Sequence, residues 1–156
     1  MPTTNIPDPD HLLRHVKSRL VDRDPQTGAA IGLLPQAFEL TPDERGLSAS
    51  WLEFFGDPAS AQPAAAMAEF AAVYDVRKND RFACGAVGDI KAACGRFNLK
   101  VRVVHDGDGH PSHASVRRFG GASLELLDLL AAEAWAEIVA PTSAALQISK
   151  VRAKAR

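Results

Sequence analysis

The stretch that most constrains the fold is residues 99–119, where two alternating segments flank a short turn-forming sequence. Apolar residues occupy alternate positions from Leu99 to Val103 and again from Ala114 to Val116. Strict alternation is typical of a half-buried β-strand, because successive side chains point to opposite faces of a sheet. The residues between the two segments include two glycines and a proline, which favour a reversal of the chain. We therefore expect a β-hairpin over residues 99–119.

Three segments have the composition and spacing of helices. Residues 64–78 are rich in alanine and place large apolar side chains three and four positions apart. Residues 89–97 begin at Asp89, a suitable N-cap, and residues 122–139 carry a leucine stripe that stops before Pro141. Short strands separate these helices. The pattern predicts an α+β fold with a small mixed or antiparallel sheet packed by the three helices.

Shorter segments are less specific. Residues 10–16 fit the apolar face of a helix and also fit a strand. A proline and a glycine between residues 21 and 33 predict a turn between two strands, and residues 47–55 change from alternation to an aromatic cluster. For that last segment we expect a strand that passes into a helix or a sharp bend.

The chain length predicts one globular domain. The 156 residues are 46% hydrophobic, which is enough for one core and too little for two ordinary domains. We expect residues 1–9 to form a flexible arm, residues 10–140 the domain, and residues 141–156 a basic, frayed tail.

The charge and targeting signals predict a cytoplasmic protein without a membrane or a strong nucleic-acid signal, so that the partner we expect, from the aromatic segment described below, is a protein or a second copy in a homo-oligomer. The 18 basic and 19 acidic residues nearly balance, so no broad field favours nucleic acid or a membrane surface. The first residues lack the features of a secretory signal, and no long apolar run occurs. Cys84 and Cys94 are too few for a disulfide framework and are expected to be reduced, inert thiols. No cofactor motif is present, which leaves a divalent metal ion as the one candidate.

Several phrases together resemble a group of small bacterial proteins whose function is uncharacterised. The phrases are DHLLRHV, LPQAFEL, LSASWLEFF, FACGAVGDIK and VRVVHDGDGHPSHASV. The resemblance extends over residues 10–139. It implies a free-standing bacterial protein, with a partner encoded nearby in a multi-gene system of the defence or toxin–antitoxin kind as one option. It transfers no catalytic residue.

The candidate catalytic residues are His105, His113 and Ser115, at the two sides of the hairpin turn. Turn chemistry accounts for residues 106–111, including an exposed His110. If the alternation breaks near the turn, His105 and His113 would meet across the strands as acid, base or metal ligands. The phrase His113-Ala-Ser115 also resembles half of a two-histidine phosphoesterase signature. The second half is missing, because the phrase that begins at His15 lacks the hydroxyl.

The candidate binding residues are Arg14, His15, Trp51, Glu53 and Phe54. On a helix, His15 would share a face with the histidine four positions before it. Arg14 or His15 with a serine and Glu53 loosely resembles the NAD-binding set of ADP-ribosyltransferase-like folds, although the acid follows too closely and no glycine-rich loop is present. Trp51 and Phe54 are aromatic anchors suited to a core or a protein interface.

Two functional hypotheses follow. The favoured one is a non-enzymatic accessory protein that binds a partner, or itself, through the aromatic segment and the long helices. The alternative is a small histidine-dependent or metal-assisted hydrolase or transferase that acts on a phosphate-bearing or nucleotide substrate through His105 and His113.

Overall fold

The computed structural model describes residues 2–155, in which nine strands and four α-helices are found. The strands are β1 (Thr4–Asn5), β2 (His11–Val16), β3 (Val21–Arg23), β4 (Ala30–Leu33), β5 (Gly46–Trp51), β6 (Arg81–Ala86), β7 (Arg102–His105), β8 (His113–Arg117) and β9 (Glu137–Val139). The helices are α1 (Gln62–Ala71), α2 (Val87–Gly95), α3 (Leu124–Leu129) and α4 (Ser143–Lys154). Across this described part of the chain, no helix combines the length and apolarity that a bilayer span requires.

Seven strands form one antiparallel sheet in the order β1-β7-β8-β5-β2-β6-β9, and β3 and β4 form a separate two-stranded sheet. The predicted α+β class is confirmed. The hairpin over residues 99–119 is confirmed as the pair β7 and β8, with Val103 opposite Val116. Both of these valines are buried, as the alternation requires.

Helices lie on both faces of the large sheet and bury two apolar clusters. On the face that we call the α2–α3 face, Leu12 and Val116 pack with Ile90 and the fully buried Trp135. On the opposite face, the α1–α4 face, Leu13 packs with side chains of α1 and α4. Each such side chain contributes roughly 1.5–3 kcal/mol when it is fully buried. The two clusters hold the sheet between the helices.

Both chain ends are more ordered than the sequence predicts. In the N-terminal arm, Thr4 pairs with His105 through β1, and Ile6 is buried. The predicted frayed tail is instead the 12-residue helix α4, whose first turn is capped by the Thr142 hydroxyl. The physical reason is tertiary contact, because Ala145 is buried in the α1–α4 cluster and Arg152 donates from Nε to the carbonyl oxygen of Ala71 at the end of α1.

Three helix predictions differ from the structure at their ends. Helix α1 ends at Ala71, where residues up to 78 were expected, and α2 agrees with its predicted range to within two residues. The segment 122–139 contains α3 and a π-helical turn over residues 130–134, and its last residues form β9 instead of helix. These last residues form a strand because they pair with the edge of β6.

The segment 10–16, which fits both a helix and a strand, is strand β2. It pairs with β6 over its full length, from His11 opposite Ala86 to Val16 opposite Arg81. Gly85 of β6 allows the π-helical turn over residues 130–134 to lie close to the sheet. A Cβ atom at that position would lie 2.6 Å from the carbonyl oxygen of Ala134. The π-helical turn can therefore pack directly on the sheet.

Candidate active site

The part of the α1–α4 face formed by β5 and β8 is polar and borders two cavities. The strand register places Ser48 opposite Ser115 and Ser50 opposite His113 on this face. An outer cavity of about 700 Å³ and an inner cavity of about 220 Å³ meet here. Ser48, Tyr74 and His113 line both cavities. The side chains between the two cavities are therefore the first candidates for chemistry.

The inner cavity lies where β2 and β5 separate. Their described pairing covers only Leu12 and Leu13 of β2. Beyond this point Arg14 donates from Nη1 to the carbonyl oxygen of Ser48 at 2.7 Å, and from Nε and Nη2 to the carbonyl oxygen of Ala37 at 3.0 and 2.9 Å. Burial lowers the pKa of Arg14 to about 10, which leaves it charged at neutral pH. Arg14, a predicted binding residue, therefore connects β2 to β5 at the point where the two strands no longer pair.

His113 is oriented by Asp106. Its Nδ1 lies 2.5 Å from Oδ1 of Asp106, and Oδ2 of the same carboxylate accepts from Arg117 at 3.2 Å. Burial raises the pKa of Asp106, but the hydrogen bonds from the Asp108 amide and from His113 outweigh it and hold this pKa below its usual value. An ionised carboxylate only accepts hydrogen bonds, so Nδ1 carries the proton and the neutral ring has its lone pair on Nε2. This is the tautomer of a general base.

His110 forms a second histidine–carboxylate pair with Glu69 of α1. Oε1 of Glu69 accepts from His110 Nδ1 at 2.8 Å, and from the amide and hydroxyl of Ser112 at 2.8 and 2.5 Å. Burial raises the pKa of Glu69, but the hydrogen bonds from Ser112 and His110 leave it below its usual value. Burial lowers the pKa of His110 despite its bond to Glu69. His110 is therefore a neutral imidazole at pH 7.

The rings of His110 and His113 lie edge to face, with centroids 5.3 Å apart. A positive charge on His113 further lowers the pKa of His110. A charge on one ring therefore disfavours protonation of His110. Tyr74 packs against His110 at 6.2 Å, and its hydroxyl would lie 2.8 Å from a Cβ atom at Gly109.

His15 is a third histidine that lines the inner cavity, and its carboxylate partner is Asp80. His15 Nε2 lies 2.8 Å from Oδ2 of Asp80, which also accepts from the backbone of Arg77. The ring packs on Phe70 and Phe82 at 4.9 and 5.3 Å. Burial lowers the pKa of His15, so this wall of the cavity is uncharged at pH 7.

The predicted pairing of His105 with His113 is wrong. His105 is opposite Ala114 in the register, so it lies on the α2–α3 face and His113 lies on the α1–α4 face. Its Nε2 is 2.7 Å from the carbonyl oxygen of Pro111, and its ring packs on Trp51 at 5.3 Å. The alternation of the strand continues through Val104, which keeps the two histidines apart.

The aromatic segment that follows β5 is separate from the two cavities. Trp51 donates from Nε1 to Asp10 at 2.9 Å, and its ring packs on Phe54, which is 40% exposed. Glu53 accepts from the backbone amide and from Nδ1 of His11, each at 2.7 Å. Glu53 is thus paired with His11, and the set of Arg14 or His15 with Ser48 and Glu53 gains no support.

Sequence reasoning placed His113 and Ser115 at the site and missed four other residues. Turn chemistry alone accounts for Asp106 and an exposed His110, whereas the structure makes both part of the site, with His110 buried and Asp106 half-buried. Glu69 and Tyr74 were read only as part of a helix. A signal for Glu69 exists, because it is the one charged residue between positions 62 and 74. A lone carboxylate on an apolar helix indicates a buried partner.

Within residues 2–155, no group of three or more His, Cys, Asp or Glu side chains is placed to hold a metal ion. Burial raises the pKa of both cysteine thiols, Cys84 and Cys94, to about 11, which agrees with the expected inert thiols. What the site offers is a set of oriented bases and hydroxyls. Comparisons with protein-family models, with curated proteins and with solved structures find no match to this chain.

Proposed function

We propose that the protein is a small hydrolase or transferase that acts on an ester, with His113 as its general base. The observation that carries the proposal is the pairing of two adjacent histidines, each with a carboxylate on Nδ1, where two cavities meet. In each histidine this arrangement leaves Nε2 for a substrate or a water molecule. A base held in one tautomer by a carboxylate is a recurring element of acyl and phosphoryl transfer.

In a hydrolysis, His113 Nε2 takes a proton from the attacking water while the water oxygen bonds to the electrophilic atom of the ester. The bond from that atom to the departing oxygen breaks, and the proton passes from His113 to this oxygen. Asp106 stabilises the imidazolium that forms in between, because its carboxylate is ionised and only 2.5 Å from Nδ1. In a transfer, an acceptor hydroxyl takes the place of water.

Three further side chains have supporting roles in this proposal. Neutral His110 accepts a hydrogen bond from the attacking water or acceptor and keeps a second positive charge away from His113. Tyr74 lines both cavities and supplies a phenolic donor at their junction. Ser115 lies on the floor of the outer cavity, two residues from His113, and offers a hydroxyl to the substrate.

The test is turnover of three chromogenic esters, 4-nitrophenyl acetate, 4-nitrophenyl phosphate and bis(4-nitrophenyl) phosphate. We expect the wild-type protein to hydrolyse at least one of them. His113→Asn retains a donor at the position of Nδ1 but removes the base, and should lower kcat by about 10²–10⁴-fold. Asp106→Asn should lower kcat as well, because the ring loses its orienting anion.

The matched control is His11→Asn, which alters another histidine–carboxylate pair outside both cavities. This variant should keep wild-type turnover. Equal turnover in wild type and His113→Asn, prepared side by side, would indicate a contaminant and contradict the proposal. The absence of His113-dependent turnover of all three esters would contradict it too.

A second candidate is a protein-binding function through the aromatic segment, as a partner-binding or self-associating accessory protein. Its support is the exposed side of the cluster that contains Trp51 and Phe54. If the segment mediates self-association, the sedimentation coefficient should rise with protein concentration and Phe54→Ser should abolish the rise. A monomer at all concentrations would remove the self-associating form of this candidate.

A further inference from the structure

We propose that the ligand of this site is a phosphodiester, whose single negative charge lies against Arg117 in the outer cavity and whose uncharged, flat substituent enters the inner cavity. This inference rests on the proposed function, because it places the scissile bond beside His113. It goes further by assigning a charge and a shape to each part of the substrate.

Arg117 has donor capacity that the protein leaves unused. Its Nε is buried and lacks a hydrogen-bond partner among the described residues. Its Nη2 lies 3.2 Å from Asp106, longer than the 2.7–2.9 Å that is typical of a charge-assisted hydrogen bond. Arg14 differs in this respect, because its Nε and both terminal nitrogens donate to carbonyl oxygens. The buried Nε is out of reach of a ligand, but the Arg117 side chain lines the outer cavity and is 25% exposed, so its terminal nitrogens are available to an anion.

A glycine beside Arg117 lets β5 and β8 approach each other closely at the floor of the outer cavity. Gly46 is directly opposite Arg117 across the strand pair and also lines the outer cavity. A Cβ atom at Gly46 would collide with the carbonyl oxygen of Val116 and would lie 2.5 Å from the Ser115 hydroxyl. The hydroxyls of Ser48 and Ser115 lie next along the same floor. Arginine and hydroxyl donors around this floor suit the oxygens of a phosphate group.

The rim of the outer cavity limits the charge of that phosphate. Asp43, Glu44 and Asp108 are exposed carboxylates that line the cavity, where they outnumber the exposed guanidinium group of Arg45. Solvent screens exposed charges, so they do not exclude an anion that sits against Arg117. They do disfavour a second negative charge. A phosphodiester carries one negative charge, whereas a phosphomonoester with its second pKa near 6 carries almost two at pH 8.

The inner cavity suits an uncharged group. Leu13, Ala49 and Phe70 contribute apolar lining, and His15 and His110 are neutral at pH 7 because burial lowers the pKa of each. The charged Arg14 also lines this cavity, but its Nε and both terminal nitrogens already donate to backbone carbonyl oxygens. The volume of about 220 Å³ is below the range typical of sites for drug-sized ligands, so it accepts only a small part of a substrate. An aromatic ring bonded to the phosphate through oxygen would reach from this cavity past His113 into the outer one.

The experiment measures binding apart from turnover. In the His113→Asn background, bis(4-nitrophenyl) phosphate and 4-nitrophenyl phosphate are titrated at pH 8 while backbone NMR shifts are followed. We expect the diester to bind at least about tenfold more tightly than the monoester, with the largest shifts at residues around the two cavities. Adding Arg117→Gln should weaken diester binding by about 10–100-fold, as expected for loss of a charge-assisted hydrogen bond.

The matched control is Arg118→Gln, the next residue, whose exposed side chain does not line either cavity. It should change diester binding by less than about twofold, as is usual for a solvent-screened charge. Arg117→Lys keeps the charge without the fork and should bind with intermediate affinity. A thermal melt of each variant confirms that the loss is not caused by unfolding.

Equal diester affinity in Arg117→Gln and Arg118→Gln would overturn the inference, and so would tighter binding of the monoester. The two proposals fail separately. If 4-nitrophenyl acetate is hydrolysed in a His113-dependent way and the diester does not bind, the enzyme proposal stands and the phosphodiester falls. If the diester binds through Arg117 and wild type turns over none of the esters, the ligand class stands and the enzyme proposal falls.

Discussion

The two halves of the α1–α4 face belong to one sheet and have opposite characters. On the half formed by β2 and β6, Leu13 and Phe82 are buried beneath α1 and α4. On the half formed by β5 and β8, the same face presents serines, His113 and Arg117 to a cavity. The covered half stabilises the fold, and the uncovered half is free to carry polar side chains.

Glu69 and Tyr74 connect the two halves. Glu69 lies in α1 and Tyr74 follows three residues after its end, yet both interact with residues of the polar half. The Glu69 carboxylate holds the turn of the β7–β8 hairpin through Ser112 and His110. The helix that covers one half therefore also positions the groups of the other half.

The largest expected effect comes from breaking the covered half. Phe82 is 1% exposed, so Phe82→Ala should lower the free energy of unfolding by about 3–5 kcal/mol through lost burial and a cavity. Ser48→Ala on the uncovered half should change it by only about 0.5 kcal/mol, since Ser48 is exposed and little packing is lost. Chemical denaturation with guanidinium chloride measures both values. Equal losses of unfolding free energy in the two variants would contradict the claim that the covered half stabilises the fold and the uncovered half does not.

A smaller effect is expected from breaking the connection between the halves. Glu69→Gln removes the anion that accepts from His110 and Ser112, and should cost about 1.5–3 kcal/mol of unfolding free energy. Glu133→Gln is the matched control, because Glu133 is exposed and has only a long ion pair with Arg96. We expect it to cost less than about 0.5 kcal/mol. If the two variants prove equally stable, Glu69 does not join the halves.

The smallest effect concerns pH. Burial lowers the pKa of His15 and His110 below 6.5, so the unfolded chain binds more protons than the folded protein around and below this pH. Stability is therefore lost as pH falls from about 6.5 toward the lowered folded pKa values and levels off below them, with a slope of at most about 1.4 kcal/mol per pH unit for each group. Glu69 and Asp106, whose pKa values are also lowered, add a further loss at more acidic pH.

Urea unfolding between pH 8 and pH 5 measures this dependence. His110→Asn should flatten part of the slope near pH 6, and the double variant with His15→Asn should flatten more of it. An unchanged slope in the double variant would show that neither histidine is held neutral by the fold.

The two strands of the hairpin are predictable from the sequence alone. Alternation from Leu99 to Val103 and from Ala114 to Val116 is a local property, and it identified both strands. The register across the turn is not local, because it depends on how residues 106–112 fold back. His105 and His113 consequently look equivalent in the sequence, and a shift of one position sends them to opposite faces.

The site was only partly predictable for the same reason. His113 stands within a strand and was found, whereas the role of His110 depends on Glu69, which is 41 positions away in the sequence. No spacing rule connects the two. Helix α4 was missed because its stabilising contacts come from α1 and from Asp75, through the ion pair with Arg152 at 2.6 Å. The alternating basic residues of the tail do not indicate those contacts.

The bond between Glu69 and Ser112 has a consequence for assembly of the site. It spans 43 positions and joins a helix to a turn that lies beyond two further strands and a helix. The site is therefore completed only after distant parts of the chain have come together. A partly folded form that keeps the β7–β8 hairpin would still contain His113 and Asp106 but would lack the fixed His110. Any activity of this site therefore reports on the docked tertiary structure and not on the hairpin alone.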